Sequence, residues 1–326
     1  MPAPDVTVVL PTLNGAAHLR RLLPLLAAQV TLEGDPLPLE ICAIDSDSTD
    51  CTRELLDEHG AHVDRIPRQE FGHGRSRNLA ARRARGEFLV FLSQDTEPAD
   101  ESFVARLLAA FRDPRVAGAS SRILPRPGDD PLSARTVLDL PESSEEPWVR
   151  DLDWVDGVWK LDPETRAAYL RFNNVASAIR ASVFREIPFP DVQFGEDFAW
   201  AARALTAGHR IAFVPDSVAY HAHEYSMREA LDRYRIDALF HYSAHGYRVR
   251  PTLRSAVRGF LYEVWKDLRF LRGTPSGSRA RLALRSPGLR MAQVVGQYLG
   301  SHGWHPSSRN GDGQPPVGTL NGGLHL

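Results

Sequence analysis

An α/β fold, a three-layer α/β/α sandwich with a mostly parallel central sheet and a helical C-terminal extension, is predicted by three features of this 326-residue chain. Short apolar runs alternate with helical patterns through its first two thirds, as in parallel strands joined by crossover helices. Acidic clusters stand where those runs end: Asp45-Ser46-Asp47-Ser48-Thr49-Asp50, Ser93-Gln94-Asp95-Thr96 and Gly195-Glu196-Asp197. Beyond Tyr225 the pattern turns helical throughout.

Val6 to Leu10 is a β-branched run closed by Pro11, and from Gly15 a helix places Leu19, Leu22, Leu23 and Leu26 on one face. Ile41 to Ile44 is the next strand, leading through the Ser/Asp/Thr cluster into a helix from Cys51 to His59 that Thr49 or Asp50 is suited to cap. Val63 to Ile66 reads as a short strand, Gly72 to Gly74 as a loop, Ser76 to Arg85 as a helix ended by Gly86, and Phe88 to Leu92 as a strand. A helix over Ser102 to Phe111 and a strand over Val116 to Ser120 follow. Pro, Asp, Ser and Glu crowd Pro125 to Pro147, which reads as a mobile loop or insertion. Structure resumes with Asn173 to Arg180, a helix over Phe198 to Ala207, and two short strands, Ile211 to Val214 and Val218 to His221. Helices then span Met227 to His245 and Leu253 to Phe270; the second carries Phe260, Leu261, Val264, Trp265 and Leu268 between arginines. Amphipathic helices usually face a core, with membrane or partner contact as the competing reading. The domain reading is therefore 1–226 for the α/β domain, 227–300 for a basic helical region, and 301–326 for a disordered tail rich in Gly, Pro, Ser and Asn.

With 43% hydrophobic and 25% charged residues, the composition is that of a globular protein with a sizeable core. No apolar run reaches the roughly eighteen residues of a spanning helix, and the N-terminus lacks a secretory layout. A cytoplasmic location is expected, with the inner face of the cell membrane as the surface open to it. Cys42 and Cys51 are the only cysteines and are expected to be free thiols. The net charge of −2 conceals an asymmetry: residues 227–300 hold fourteen Arg or Lys against five Asp or Glu. No nucleic-acid-binding module accompanies this basic stretch, so no nucleic-acid partner is expected, and an anionic membrane is the better match.

The clusters suit chemistry on a phosphate-bearing ligand, because carboxylates at the ends of separate strands converge on one cleft outside the sheet. Asp45, at a strand terminus, suits hydrogen bonds from a nucleobase or ribose. Asp95 is a candidate ligand for Mg²⁺ or Mn²⁺, which prefer oxygen donors; a solvated turn is the plainer reading. His221 and His223 share one face if their strand continues, and either can complete a metal site or serve packing alone. Glu196 and Asp197 follow a glycine at a helix start, where one can act as general base and the other orient it; helix capping by Asp197 competes. Phe71 to Asn78 adds flexible glycines and the guanidiniums of Arg75 and Arg77, able to grip a pyrophosphate or simply to begin a basic surface helix. Trp148, Trp154 and Trp159 are available to stack on a sugar, although aromatic residues more often pack internally.

Taken in order, these motifs resemble family 2 glycosyltransferases of the GT-A fold over roughly Val6 to Ser226. Val8-Val9-Leu10-Pro11-Thr12-Leu13-Asn14 is similar to the opening strand and nucleotide-binding turn, and Asp45 to Asp50 to the base- and ribose-contacting segment. His73-Gly74 with Arg77-Asn78 is similar to the phosphate-side loop, and Leu92-Ser93-Gln94-Asp95 falls at the Asp-x-Asp position. Gly195-Glu196-Asp197 with Trp200 resembles the acceptor-side Glu-Asp motif. The resemblance implies donor binding by Pro11, Thr12, Asn14, Asp45, Asp47, His73, Arg75, Arg77, Asn78, Gln94 and Asp95. It further implies metal binding by Asp95 with His221 or His223, catalysis by Asp197 assisted by Glu196, and acceptor contacts from Trp200, Trp154 and Trp159. The Ser-Gln-Asp form and the ending His221-Ala222-His223-Glu224-Tyr225-Ser226 are most similar to rhamnosyltransferase-like members. Those use dTDP-L-rhamnose and build cell-surface polysaccharide or lipid-linked glycans. Two positions depart from the pattern: Ser93 replaces its first aspartate, and Asp47 stands where glycine is frequent.

The implied reaction is inversion by direct displacement, with Asp197 taking the acceptor proton and a divalent cation, with Arg75 or Arg77, stabilising the diphosphate. A nucleotidyltransferase would want a Gly-rich basic loop after the first strand, and a dinucleotide-dependent oxidoreductase a Gly-x-Gly-x-x-Gly there; Pro11-Thr12-Leu13-Asn14 is neither. A degenerate relative that binds nucleotide sugar without turnover is the non-enzyme alternative, supported by Ser93.

Overall fold

The opening β-branched run forms strand β1 (Val6–Thr12), fully buried at Val6, Val8, Val9 and Leu10. The computed structural model describes residues 6–152, 158–192, 194–273 and 276–304. Helix α1 (Ala16–Ala27) lays Leu19, Leu22, Leu23 and Leu26 into the core, as their spacing predicts. Next come β2 (Leu39–Asp45), α2 (Thr52–Glu58), β3 (His62–Arg65), α3 (His73–Ala81) and β4 (Phe88–Leu92). The crossover helices oblige β1, β2, β3 and β4 to run parallel, and register levels Thr12 with Asp45 and Val9 with Phe91. The carboxyl ends of β1, β2 and β4 therefore open on one edge of the sheet.

The chain continues through β5 (Glu97–Pro98), α4 (Phe103–Leu108), β6 (Val116–Leu124), α5 (Pro131–Leu138), β7 (Trp148–Arg150) and α6 (Pro163–Tyr169). Then follow β8 (Ala176–Arg180), α7 (Ala181–Glu186), α8 (Glu196–Thr206) and β9 (Arg210–Tyr220). The sheet order is β3-β2-β1-β4-β8-β6-β9-β5, with β7 paired to β9. Strand β8 runs antiparallel between β4 and β6, pairing Ala176 with Leu92, so its amino end emerges on the same edge as the carboxyl end of β4. Strand β9 is parallel to β6 and is one strand where two were expected. A register shift near Ser121/Arg122 takes up Pro215-Asp216-Ser217, and the buried Ser217 hydroxyl donates to Phe103 O at 3.0 Å, which holds the strand continuous.

Contacts divide the chain into two units, Met1–Leu124, Leu140–Lys160 and Tyr169–His221 in one, and Pro125–Asp139, Leu161–Ala168 and Ala222–Leu326 in the other. The first contains the sheet. The second contains α9 (Met227–His245), α10 (Leu253–Phe270) and α11 (Ser276–Ser301), the first two with the bounds read from the sequence. Two earlier segments join them. Part of the expected loop is α5, whose Asp130 accepts from Leu132 N and Ser133 N at 3.1 Å, and Leu132 packs with Ala230, Leu271, Leu282, Leu289 and Ala292. Helix α11 falls in the region read as helical but is given no bounds there, because Pro287, Gly288, Gly296 and Gly300 mask its pattern. Ser301, read as the first residue of a tail, is fully buried and its hydroxyl accepts from Arg250 N at 3.0 Å; residues 305–326 of that expected tail lie outside the described residues. Both cysteines are free, Cys42 buried and Cys51 exposed. No described helix is long and apolar enough to cross a membrane.

Candidate active site

Strand β1 ends in a turn whose backbone is held by side chains from two neighbouring strand ends. Asn14 takes a left-handed φ of 46°, a conformation asparagine tolerates, and its Oδ1 accepts from Thr49 N at 2.9 Å. Ser48 Oγ accepts from Asn14 N, Thr52 Oγ1 from Gly15 N and Asp50 from Ala16 N, at 2.8 to 3.1 Å. Asp50 thus ties two elements together, and its Oδ1 also accepts from Thr52 N at 3.1 Å, which places it on the first turn of α2. Burial alone would raise its carboxyl, but these hydrogen bonds outweigh it and hold the group below the usual range.

Two expected donor contacts are already engaged in this turn. Gln94 Oε1 accepts from Leu13 N at 2.9 Å and Gln94 Nε2 donates to Leu13 O at 3.1 Å, so the amide pins one strand end to the other. Asp45 is fully buried and accepts from Ser48 N at 3.0 Å, with Thr12 Oγ1 at 3.5 Å; it shapes the turn and offers no open face to a base or ribose. Pro11, half-buried, and the buried Thr12 are the last residues of β1. Asp47, left-handed at φ 69°, is exposed and pairs with Arg65 at 2.8 Å.

Asp95 sits just past β4 and meets the end of β9, where His221 Nδ1 lies 3.4 Å from its Oδ1. The contact follows from the sheet: β5 pairs Glu97 with Tyr220, and His221 N donates to Leu124 O at 2.9 Å. The chain leaves the sheet here, and one ligand atom each from Asp95, His221 and His223 lie within 4.8 Å of one another. One carboxylate and two imidazoles form a donor set that could hold a divalent cation.

The amino end of β8 supplies residues that sequence reasoning overlooked. Val175 O accepts from Ser93 N and Thr96 Oγ1, both at 3.1 Å, so Asn173 to Val175 run beside the Asp95 loop. Asn174 N donates to Asp197 Oδ2 at 3.4 Å, and Asn174 O accepts from Arg77 at 3.3 Å. The Asn173-Asn174 pair before an apolar run is the one signal in the sequence that marks it. Asp197 lies in the first turn of α8, after Gly195 at φ 80°, and also accepts from Phe198 N at 2.9 Å. Burial, reinforced by the Glu196 carboxylate and opposed by the Phe198 hydrogen bond and Arg77, lifts its carboxyl to about 7. A carboxyl raised in this way suits proton transfer to and from a neighbouring hydroxyl.

Glu196 and Arg77 form a buried ion pair, Oε1 to Nη1 at 2.7 Å, with side chains 8% and 4% exposed. Arg77 therefore braces α3 against α8 and cannot grip a pyrophosphate, and Glu196 holds that brace. Asn78 is engaged in the same way: Nδ2 donates to Phe189 O at 2.8 Å and Oδ1 accepts from Phe189 N at 3.1 Å. On the phosphate-side loop the exposed polar groups are Arg75, paired with Glu70 at 2.9 Å, and His73, whose ring stands edge-on to Phe71 at 5.0 Å.

Trp200 is a second correction, since it is fully buried on the inner face of α8 and cannot stack on an acceptor. Its Nε1 donates to Ile187 O at 2.9 Å and its ring packs on Phe172, so the helix period places it in the core. Trp148 is stacked on Phe213 at 5.7 Å with Arg150 3.6 Å above its ring. Trp154 and the side chain of Trp159 lie outside the described residues.

The family described as Glycosyl transferase family 2 matches residues 7–172. The chain is 30% identical over 240 residues to the O-antigen chain rhamnosyltransferase RfbN of Salmonella typhimurium, covering 72% of each chain. It is 29% identical over 307 residues to the O-antigen chain rhamnosyltransferase WbaN of Salmonella anatum, covering 92% of this chain and 90% of that one. Among solved structures, the mannosyltransferase PcManGT of Pyrobaculum calidifontis, in complex with GDP-Man and Mn²⁺, superposes with a TM-score of 0.55 at 20% identity, covering 92% of this chain and 86% of that one.

Proposed function

Since this chain belongs to glycosyl transferase family 2, and is a transferase with the GT-A fold, we propose that it moves L-rhamnose from dTDP-rhamnose to a hydroxyl of a growing cell-surface glycan of the O-antigen type. The acceptor in this reading is lipid-linked and met at the cytoplasmic face of the cell membrane, where residues 227–300 make the peripheral contact. The observation that carries it is Asp197, a carboxyl held at about 7 at the edge where three strand ends open. Likeness to two O-antigen chain rhamnosyltransferases supports the choice of sugar.

Asp197 takes the proton of the acceptor hydroxyl while its oxygen attacks the anomeric carbon, and the diphosphate leaves from the opposite face. Asn174 N–H and the Arg77–Glu196 brace fix the carboxylate for that transfer. The turn at Pro11 to Asn14 carries the nucleotide, and Arg75 with His73 serves its phosphates. Asp95, His221 and His223 would hold a divalent cation, in keeping with the Mn²⁺ of the mannosyltransferase. When bound, such a cation offsets negative charge on the departing diphosphate. Ser93 leaves Asp95 as the one carboxylate of the motif, so the histidines take a larger share of the site.

Calorimetric titration with dTDP-rhamnose and with UDP- and GDP-sugars, each with Mn²⁺ and with EDTA, tests the reading. Binding of dTDP-rhamnose that weakens in EDTA, with transfer to a glycan acceptor, is the expected result. Preference for another sugar overturns the donor choice, and tight binding without transfer to any acceptor supports a scaffold instead.

A further inference from the structure

Helix α10 is built inside out. Its inward side holds Ala256, Gly259 and the fully buried Asp267, whereas Leu253, Val257, Leu261, Trp265 and Leu268 stand 68, 52, 60, 51 and 46% exposed. These five recur at intervals of three or four, which makes one continuous stripe. The core-facing reading of this helix is thereby overturned. Its charges are sorted in the same sense. Both carboxylates of the helix are taken up within the second unit: Glu263 pairs with Arg135 at 2.6 Å, and Asp267 with Arg290 at 2.8 Å and Arg135 at 2.6 Å. Arg254, Arg258 and Arg269 flank the stripe exposed, and Arg269 lies 5.6 Å over the Trp265 ring.

We propose that this face of α10 lies in the headgroup layer of an anionic lipid membrane, with the apolar stripe among the upper acyl chains and the arginines on lipid phosphates. An apolar stripe bordered by cations and an exposed tryptophan is the chemistry such an interface takes. Charge excludes the obvious alternative. A second copy apposed on the same face sets Arg254, Arg258 and Arg269 against their equivalents with no carboxylate between them. The proposal deepens the reading of an enzyme working at a membrane, yet it is tested without donor or glycan, so it stands or falls apart from transfer activity.

The test is flotation of the full-length protein with phosphatidylcholine vesicles, with and without phosphatidylglycerol. Binding to the anionic vesicles alone, weakening with salt, is expected. Arg254→Gln/Arg258→Gln/Arg269→Gln lowers that affinity by on the order of a hundredfold, from the roughly fivefold per cation of a charged surface. Leu261→Glu/Trp265→Glu abolishes it, and all five positions are exposed, so the melting temperature serves as the folding control. Equal binding to both vesicle types, no binding to either, or unchanged binding by the arginine variant overturns the proposal. So does a dimer in sedimentation equilibrium that Leu261→Glu/Trp265→Glu dissociates.

Discussion

Asp197, the base in the proposed reaction, carries opposed demands, since the burial that lifts its carboxyl to about 7 also costs stability near neutrality. Its folded pKa is raised to about 7, so its contribution is fully present below the ordinary carboxylate value of 3.8 and is lost as pH rises through about 7. Asp197→Asn should therefore melt higher than the parent at pH 8 and equally at pH 4. Its transfer rate should fall by about 10²- to 10⁴-fold, and the parent rate should climb between pH 6 and 8; a rate flat over that window removes Asp197 as the base. Arg77 makes the contrasting case. Arg77→Ala strands Glu196 in a buried site and should cost about 3–5 kcal/mol in urea unfolding, more than Glu196→Gln, which leaves a neutral hydrogen-bonding partner. Equal small effects from both would mean that the pair is solvated and its brace unimportant.

Packing between elements depends on a few glycines where no side chain fits. A Cβ at Gly118 on β6 meets the Trp200 ring at 2.5 Å, so Gly118→Val should push α8 off the sheet and cost about 1–3 kcal/mol, with a loss of transfer from the displaced Asp197. On α11, Gly296 and Gly300 bring its backbone against Leu231 and Arg235 of α9, and either position changed to Val should lower the melting temperature with little change in donor affinity. The strands and helices through β4 were legible because each carries its own period, except that α3 takes in His73 and Gly74, read as loop, and ends at Ala81 rather than Arg85. Helices α9 and α10 were legible too, and capping boxes at Ser226 with Glu229 and Thr252 with Ser255 begin them. The bounds of α11, within the region read as helical, were not, because glycines that let helices approach closely read locally as helix breakers.

At the scale of the molecule, the sheet gathers what the chain disperses. Asp95 and His221 stand far apart in sequence and meet because β5 and β9 pair antiparallel. Mn²⁺ should raise the melting temperature of the full chain reversibly with EDTA, from a stabilisation of about 2.7 kcal/mol at a hundredfold excess over its Kd. Asp95→Ala and His221→Ala should each abolish that rise while leaving the metal-free melting temperature unchanged. A rise that survives both would place the cation elsewhere. The charge asymmetry has its outlet at this scale as well, since part of the excess of basic residues in 227–300 lines the exposed face of α10.

The sequence by itself determined the α/β class, the order of strands up to β4, the helical character of the C-terminal region with the bounds of two of its three helices, and the order of motifs that marks the family. These depend on local periodicity and on residue types at element ends, which a single chain displays. Only the tertiary structure decided which motif residues remain available to a ligand. Gln94 is engaged by Leu13, 81 residues away, Asn78 by Phe189 at 111, and Arg77 by Glu196 at 119. It also decided that Trp200 packs inward and that the apolar side of α10 faces out. A side chain's chemistry is written in its own residue, but its partner comes from wherever the fold brings another element, and burial is a property of that meeting alone.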